Sequence, residues 1–376
     1  MSLALVLDVW DPARGGLEAY ADVLCRALLE RRVNVTIVCG VARAAPPGAR
    51  VIKTGSAGLA FCRDADDVVR REDLGRVCAF RHPGRHADVF LPLGGLLVSS
   101  LAARRASEPL LLSAPRRLAR ALSPKTRGFL AREAEFFASE GLVLASSPLV
   151  RDEIAHRFPR FPGRVEVAGL PVDDARFRLP LNGERDQLRR SQLSLRGEPC
   201  LLWIGNDPVR KGLNVARRVL RRLRQRKLDA RLVLVGHGTN RYDGSEPGIV
   251  GLGFTDTVPV LLRAVDVLLA PSLEDNLSFS VLEALATGCP VVTTERNGAA
   301  DWITDRDCGR VVGDPRDVSA LDAATLALLE RGMLDDEQRQ RRRAAVESCF
   351  RASHLDRVCA TLSSLTRSNA PRTHPG

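Results

Sequence analysis

APSLEDNLSFSVLEALATGCP, residues Ala270–Pro290, is bounded by two short apolar runs. Val265–Ala270 (VDVLLA) is apolar and β-branched, the composition of a strand buried on both faces of a parallel sheet. Over Ser278–Thr287, Val281, Leu282, Leu285 and Ala286 fall at helical spacing; Gly288 follows as a C-cap and Pro290 forbids continuation. Pro290–Thr294 (PVVTT) reads as the next strand. Strand, polar loop, helix and strand make a βαβ unit whose loop lies at the carboxyl end of the first strand. Open α/β sheets bind ligands at that edge. Ser278 or Asn276 is expected to cap the helix, leaving the N–H groups of Leu277, Ser278, Phe279 and Ser280 to face an anion. Asp275 precedes the helix and Glu283 lies inside it. Acceptor-only carboxylates beside anion-binding amides suit a ligand with hydroxyls to fix and phosphates to cradle. The plainer reading is that both acids only complement the helix dipole.

A chain of 376 residues has room for about two domains, and 45% apolar with 27% charged residues describes a folded protein. No uninterrupted apolar run approaches the ~18 residues of a membrane span. The start, MSLALVLDVWDP, has no basic lead and meets Asp8 early, so it reads as a first strand and not a signal peptide. Nine cysteines, an odd count without a CxxC pair, argue against a disulfide framework or a zinc site and for a reducing cytoplasm. Net charge is +11, which favours anionic partners. Two tyrosines and three tryptophans supply little of the stacking that single-strand nucleic-acid binders use, so no nucleic-acid partner is expected.

The same alternation runs the length of the chain. Leu3–Leu7 is a strand, Asp8–Gly16 a loop ending in Gly15-Gly16, Leu17–Arg31 an amphipathic helix and Val33–Val38 a strand. The glycine pair allows close backbone approach to a ligand. Further strands are expected at Val51–Lys53, Val77–Phe80, Val89–Leu91 and Leu142–Ala145, with an exposed helix over Asp64–Gly75. His82 and His86 lie in the loop RHPGRHAD and are read as solvated, with a catalytic role as the alternative. Leu110–Phe137 interleaves Arg116, Arg117, Arg120, Lys125, Arg127 and Arg132 with apolar residues, a pattern for an anionic membrane surface or for a helix pair with a charged outer face. Ser147 and Pro148 open a helix to Phe158. In the second half, Cys200–Ile204, Arg231–Val235 and Ile249–Leu252 are strands, and the loop Gly205–Gly212 (GNDPVRKG) carries Arg210 and Lys211. Such a pair at a strand's carboxyl end can meet a diphosphate. The reading is an α/β chain with a parallel sheet in each half: residues 1–175, residues 176–345, a C-terminal helix over 346–367 expected to cross back to the first domain, and a disordered tail from 368 to 376.

With these residues in view, the chain resembles the retaining glycosyltransferases of family 4, which have the GT-B fold of two Rossmann-like domains facing a cleft. GNDPVRKG, VGHG (235–238), AVDVLLAPS (264–272) and DNLSFSVLEALATGCPVV (275–292) follow the family's order and spacing. ARGGLEAYA (13–21), GNDPVRKG and GAADWITDRDCG (298–309) look most like the lipopolysaccharide inner-core glucosyltransferases of that family. The family's two glutamates, separated by seven intervening residues, correspond here to Asp275 and Glu283, and its Gly-Phe-Gly to Asn276-Leu277-Ser278. The resemblance implies that Asp275 holds donor-sugar hydroxyls and Glu283 the ribose. It implies that Arg210, Lys211 and the amides of Leu277, Ser278, Phe279 and Ser280 hold the diphosphate. Gly205 belongs to the same loop, Gly15 and Gly16 close over the donor, and Leu252, Gly253 and Phe254 meet the base. It further implies a nucleotide-sugar donor, UDP-glucose first, a glycan or glycolipid acceptor that is phosphorylated, no cofactor and no metal. The expected place is the inner face of the cytoplasmic membrane, with the Arg116–Arg132 segment as contact. The alternatives are a nucleotide-sugar epimerase on the same fold and a non-enzymatic basic binding protein.

Overall fold

The computed structural model describes residues 2–14, 16–84, 86–99, 101, 123–304, 306–330 and 336–367. The chain divides into two compact units, Met1–Gly169 with His354–Gly376, and Leu170–Ser353. Gly15, the basic stretch through Arg120 and the tail from 368 lie outside the described residues.

In the first unit the strands are β1 (Ser2–Val6), β2 (Val9–Trp10), β3 (Asn34–Cys39), β4 (Val41–Ala42), β5 (Arg50–Lys53), β6 (Arg76–Ala79), β7 (Val89–Phe90), β8 (Leu142–Ala145) and β9 (Arg164–Val167). Seven of them form one sheet in the order β5-β3-β1-β6-β7-β8-β9, every pair parallel. Helices α1 (Gly16–Glu30), α2 (Gly58–Arg71), α3 (Pro124–Phe137) and α4 (Pro148–Arg157) connect them. The expected cap of α4 is present: Ser147 Oγ accepts from the Val150 N–H at 3.3 Å.

Two expectations for this unit need correction. The helix read as exposed over Asp64–Gly75 starts at Gly58 and buries Phe61, Cys62, Ala65, Val68 and Val69 in a core that also holds Phe129 of α3. Its acidic middle, RDADD, hides an apolar stripe at helical spacing. Arg132, expected on a surface-facing basic stripe, is turned inward instead. It donates to Asp66 at 2.8 Å and to the Cys62 carbonyl at 3.3 Å. Lys125 and Arg127 are exposed. All nine cysteines are buried and free.

The second unit opens with α5 (Glu184–Leu193) and holds β10 (Cys200–Ile204), α6 (Leu213–Gln225), β11 (Arg231–Val235), β12 (Ile249–Gly253), α7 (Val258–Ala264) and β13 (Val267–Ala270). It continues through α8 (Phe279–Ala286), β14 (Val291–Thr294), β15 (Gly309–Val312), α9 (Val318–Glu330) and α10 (Asp336–Ala345). The sheet order is β12-β11-β10-β13-β14-β15, all parallel. Leu201 and Trp203 of β10 pack on Leu213, Ala216, Leu220 and Leu223 of α6, which is why that helix is apolar on one side and arginine-rich on the other.

A last helix, α11 (Arg351–Arg367), leads back into the first unit and contributes Leu355, Val358, Cys359 and Leu362 to its core. His354 at its start is fully buried: Nδ1 bonds the Ala168 carbonyl at 3.1 Å and Nε2 pairs with the Tyr20 hydroxyl at 2.9 Å. An Nδ1–H donating to Ala168 leaves Nε2 to accept from Tyr20, so the ring is neutral. Burial, with Arg357 nearby, holds its pKa down at about 4, against 6.5 when unfolded. The unfolded chain therefore takes up a proton first as pH falls. Stability from this group is full above pH 6.5 and drains away toward pH 4, by up to roughly 3 kcal/mol. Urea titrations at pH 7, 5.5 and 4 are expected to show that loss in the wild type. His354→Gln, weaker at pH 7, is expected to lack this part of the slope.

Candidate active site

Parallel sheets leave a crevice where successive connections leave on opposite sides, and in the second unit β10, flanked by β11 and β13, is that point. The loops after β10 and β13 carry the residues singled out in the sequence. Trp203 Nε1 donates to the Lys211 carbonyl at 3.0 Å, pinning the first loop to the core. Gly212 has φ +69°, and a Cβ there would sit 2.0 Å from the Pro271 carbonyl oxygen, so only glycine lets the two loops touch. Leu273 N–H then donates to the Arg210 carbonyl at 2.8 Å. Asp275 is fixed from behind by a parallel bridge to Asn297, its N–H on the Arg296 carbonyl at 2.8 Å and its carbonyl taken by Gly298 N–H at 2.7 Å.

Held in this way, Lys211 Nζ makes an ion pair with Asp275 Oδ2 and reaches Ser278 Oγ at 3.4 Å. Arg210 donates to Asp275 Oδ1 at 3.4 Å and to the Glu274 carbonyl at 3.1 Å. Asp275 is thus a buried carboxylate shared by two cations. The plainer reading of this acid, as a complement to the helix dipole alone, does not account for that pairing. Ser278 is the N-cap residue of α8, but its hydroxyl pairs with Ser280 Oγ at 2.9 Å and caps no backbone group. Among the described residues no protein acceptor takes the N–H groups of Leu277, Ser278, Phe279 and Ser280. Four orphan donors and two cations make a ready anion site.

Glu283, one turn into α8, retains a little accessible surface, yet protein surrounds its carboxyl closely enough that desolvation pushes its pKa up to about 7. Arg176 and Lys211 pull it down only in part. No hydrogen bond or ion pair among the described residues holds the carboxyl. A poorly solvated acceptor with nothing to accept from is a place for a ligand's hydroxyls.

The strands on the other side extend the site. A Cβ on Gly236 would lie 2.0 Å from the Gly205 carbonyl, and Gly236 N–H donates to the Gly253 carbonyl at 2.9 Å, so the ends of β10, β11 and β12 form one ledge. Leu252 and Phe254 are exposed there, and the Phe254 ring lies flat on His237 with centroids 4.7 Å apart. This stacked pair escaped the sequence reading, in which His237 was only part of a glycine-rich turn.

The first unit has its own switch point at β1, between β3 and β6. Gly16 begins α1 there. Arg81, after β6, lies 3.5 Å from Asp8 and 3.7 Å from Glu18, and Arg14 lies 3.9 Å from Glu18. Among the described residues, buried Asp8 Oδ1 has no hydrogen-bond partner. His82, expected to be solvated, stacks on Phe129 with centroids 4.0 Å apart, and burial lowers its pKa to about 4. It serves as packing. Nothing in the sequence marks Asp8, Glu18 and Arg81 as a set, because three separate elements supply them.

Two Rossmann-like parallel-sheet units in this order make up the GT-B fold of glycosyltransferases. Residues 198–331 match the family described as Glycosyl transferases group 1. It is similar to the D-inositol 3-phosphate glycosyltransferase of Salinispora tropica, 27% identical over 369 residues, covering 85% of this chain and 76% of that one. It is also similar to the lipopolysaccharide glucosyltransferase WaaG of Escherichia coli K12, 27% identical over 150 residues, 38% of this chain and 40% of that one. A solved WaaG structure aligns with a TM-score of 0.76 at 18% identity, covering 96% and 99%. Anabaena HepE, solved with UDP-glucose, aligns at 0.66 and 16% identity, covering 96% and 99%. Among the described residues no helix is long and apolar enough to cross a membrane.

Proposed function

We propose that this protein is a retaining hexosyltransferase that takes glucose from UDP-glucose and passes it to a cell-envelope glycan or glycolipid. The observation that carries the reading is the uncapped start of α8 beside Lys211 and Arg210, with Asp275 and Glu283 on either side of it. The diphosphate takes the four amides and the two cations, which stabilise the charge that develops as it leaves. Because those groups can neutralise it, the reaction is metal-independent and uses no cofactor. Glu283 accepts from the ribose hydroxyls, Asp275 aligns the basic pair and meets the sugar, and the His237–Phe254 face receives the base. The similarity to WaaG and to a glycosyltransferase acting on an inositol phosphate supports an envelope acceptor bearing phosphate. A peripheral membrane position follows from such an acceptor and the +11 net charge.

Incubating the protein with UDP-, GDP- and ADP-sugars in the presence of a chelator tests this. UDP-glucose is expected to give slow hydrolysis to UDP and glucose and the largest thermal stabilisation. A preference for another nucleotide would replace the donor. Release of an epimerised nucleotide sugar would replace the reaction class, and loss of turnover with chelator would overturn metal independence.

A further inference from the structure

A second cavity opens in the second unit at the opposite edge of its sheet, where Pro199, Asp266 and Pro290 lead into β10, β13 and β14. Strands of about five residues put it roughly 15 Å from the donor site. It holds ≈ 430 Å³, within the size range of small-molecule sites. Six arginines line it, Arg185, Arg189 and Arg190 from α5, Arg196 just beyond, Arg263 from α7 and Arg339 from α10, against two acids, Asp186 and Asp266.

The arginines fall into two groups. Arg185 and Arg189 are spent on Asp266, the latter at 3.0 Å, and Arg339 pairs with Asp336 at 2.9 Å. Arg190 and Arg196 are exposed, and among the described residues their guanidinium groups have no ion-pair or hydrogen-bond partner. Arg263 has only a tenth of its side chain exposed; its Nε faces Glu184 at 3.3 Å but makes no hydrogen bond. Burial lowers its pKa, so a further anion beside it is favourable. The arginines are not there to cap α8, whose C-terminal end also lines the cavity. That end is already served from outside the lining, Ala286 O by Arg343 at 2.9 Å and Gly288 O by Arg342 at 3.1 Å.

We propose that this arginine-lined cavity binds a small phosphorylated molecule, of the size of a sugar phosphate or diphosphate, separately from the donor. Planar guanidinium forks suit phosphate oxygens, and the proline and leucine wall suits the body of the ligand. The proposal does not depend on the donor assignment.

Calorimetric titration of inorganic pyrophosphate into the full chain at fixed ionic strength tests it. The donor site is silenced by Lys211→Met with Asp275→Asn, which removes both charges together. Saturable binding is expected to persist in that variant, and adding Arg190→Glu and Arg196→Glu is expected to weaken it at least roughly tenfold. These two positions are exposed, so the reversal leaves the fold intact. Arg263→Lys, keeping the charge but not the fork, is expected to weaken it less. Binding that vanishes with the Lys211 and Asp275 changes, or is indifferent to Arg190 and Arg196, or is matched by sulfate, would overturn the site. Sedimentation with phosphatidylglycerol vesicles separates a free from a lipid-borne phosphate. It is expected to fall no further with these two charge reversals than with Arg218→Glu and Arg241→Glu, exposed arginines outside the lining, and a larger loss would overturn the soluble ligand.

Discussion

Lys211→Ala is expected to lower kcat/KM for transfer by about 10³-fold or more. Lys211 is the cation closest to the start of α8, and its ammonium touches both Asp275 and Ser278. A preorganised charge at a departing group is typically worth 10²–10³ in rate. Losing it here has a second consequence. Asp275 is buried, and Arg210 alone, part-exposed and 3.4 Å away, is a weaker partner. Removing one member of such a pair costs roughly 3–5 kcal/mol where the other stays charged and dry, somewhat less where a second cation remains. Lys211→Ala should therefore lower stability as well as activity. Lys211→Met with Asp275→Asn separates the effects: stability returns toward wild type and activity does not. Steady-state kinetics with urea denaturation of the three variants checks this. Recovery of activity together with stability would mean that the lysine only holds the fold.

Glu283→Gln is expected to stabilise the free protein at alkaline pH and to weaken donor binding about 10²-fold. The folded carboxyl titrates near 7, against 4.5 in the reference state. A raised carboxyl pKa contributes stability that is full below 4.5 and lost as pH rises to 7, because ionisation inside the protein is disfavoured. The loss amounts to up to roughly 3 kcal/mol, and Gln, which never ionises, escapes it. Binding has the opposite sign. Ribose hydroxyls donate to the carboxylate, so the donor selects the ionised form and releases a proton when it binds below pH 7. Affinity for UDP should rise up to tenfold per pH unit from 5 toward 7 and then level off. In Glu283→Gln it should be low and flat. Titrations in two buffers of different ionisation enthalpy would detect the proton. A wild-type affinity that does not change over this range would remove Glu283 from the donor site.

The βαβ alternation was legible because buried parallel strands are short apolar runs and their helices carry one apolar stripe. Cys200–Ile204 and Arg231–Val235 fall within the same bounds in sequence and structure. The acids 275 and 283 stood out because both lie on one loop and helix. Their engagement with Lys211 did not, since 64 residues separate the partners and only the adjacency of β10 and β13 brings them together. The start of α2 was missed because RDADD outweighs its flanking apolar residues in a local reading. Arg81 and Arg132 are indistinguishable in sequence from the rest of 56 basic residues. Burial against particular aspartates makes them special, and that is a property of the assembled sheet. The cavity at the amino edge was illegible for the same reason, its arginines coming from three helices and a turn.

In the proposed function the uncapped start of α8, with Lys211 and Arg210, holds the diphosphate of the donor. A crystal structure of the protein with UDP tests it most directly. Phosphate oxygens are expected within hydrogen-bond distance of the amides between Leu277 and Ser280 and of Lys211 Nζ, with the ribose on Glu283. UDP bound elsewhere, or with its diphosphate turned to solvent and these amides unfilled, would contradict it.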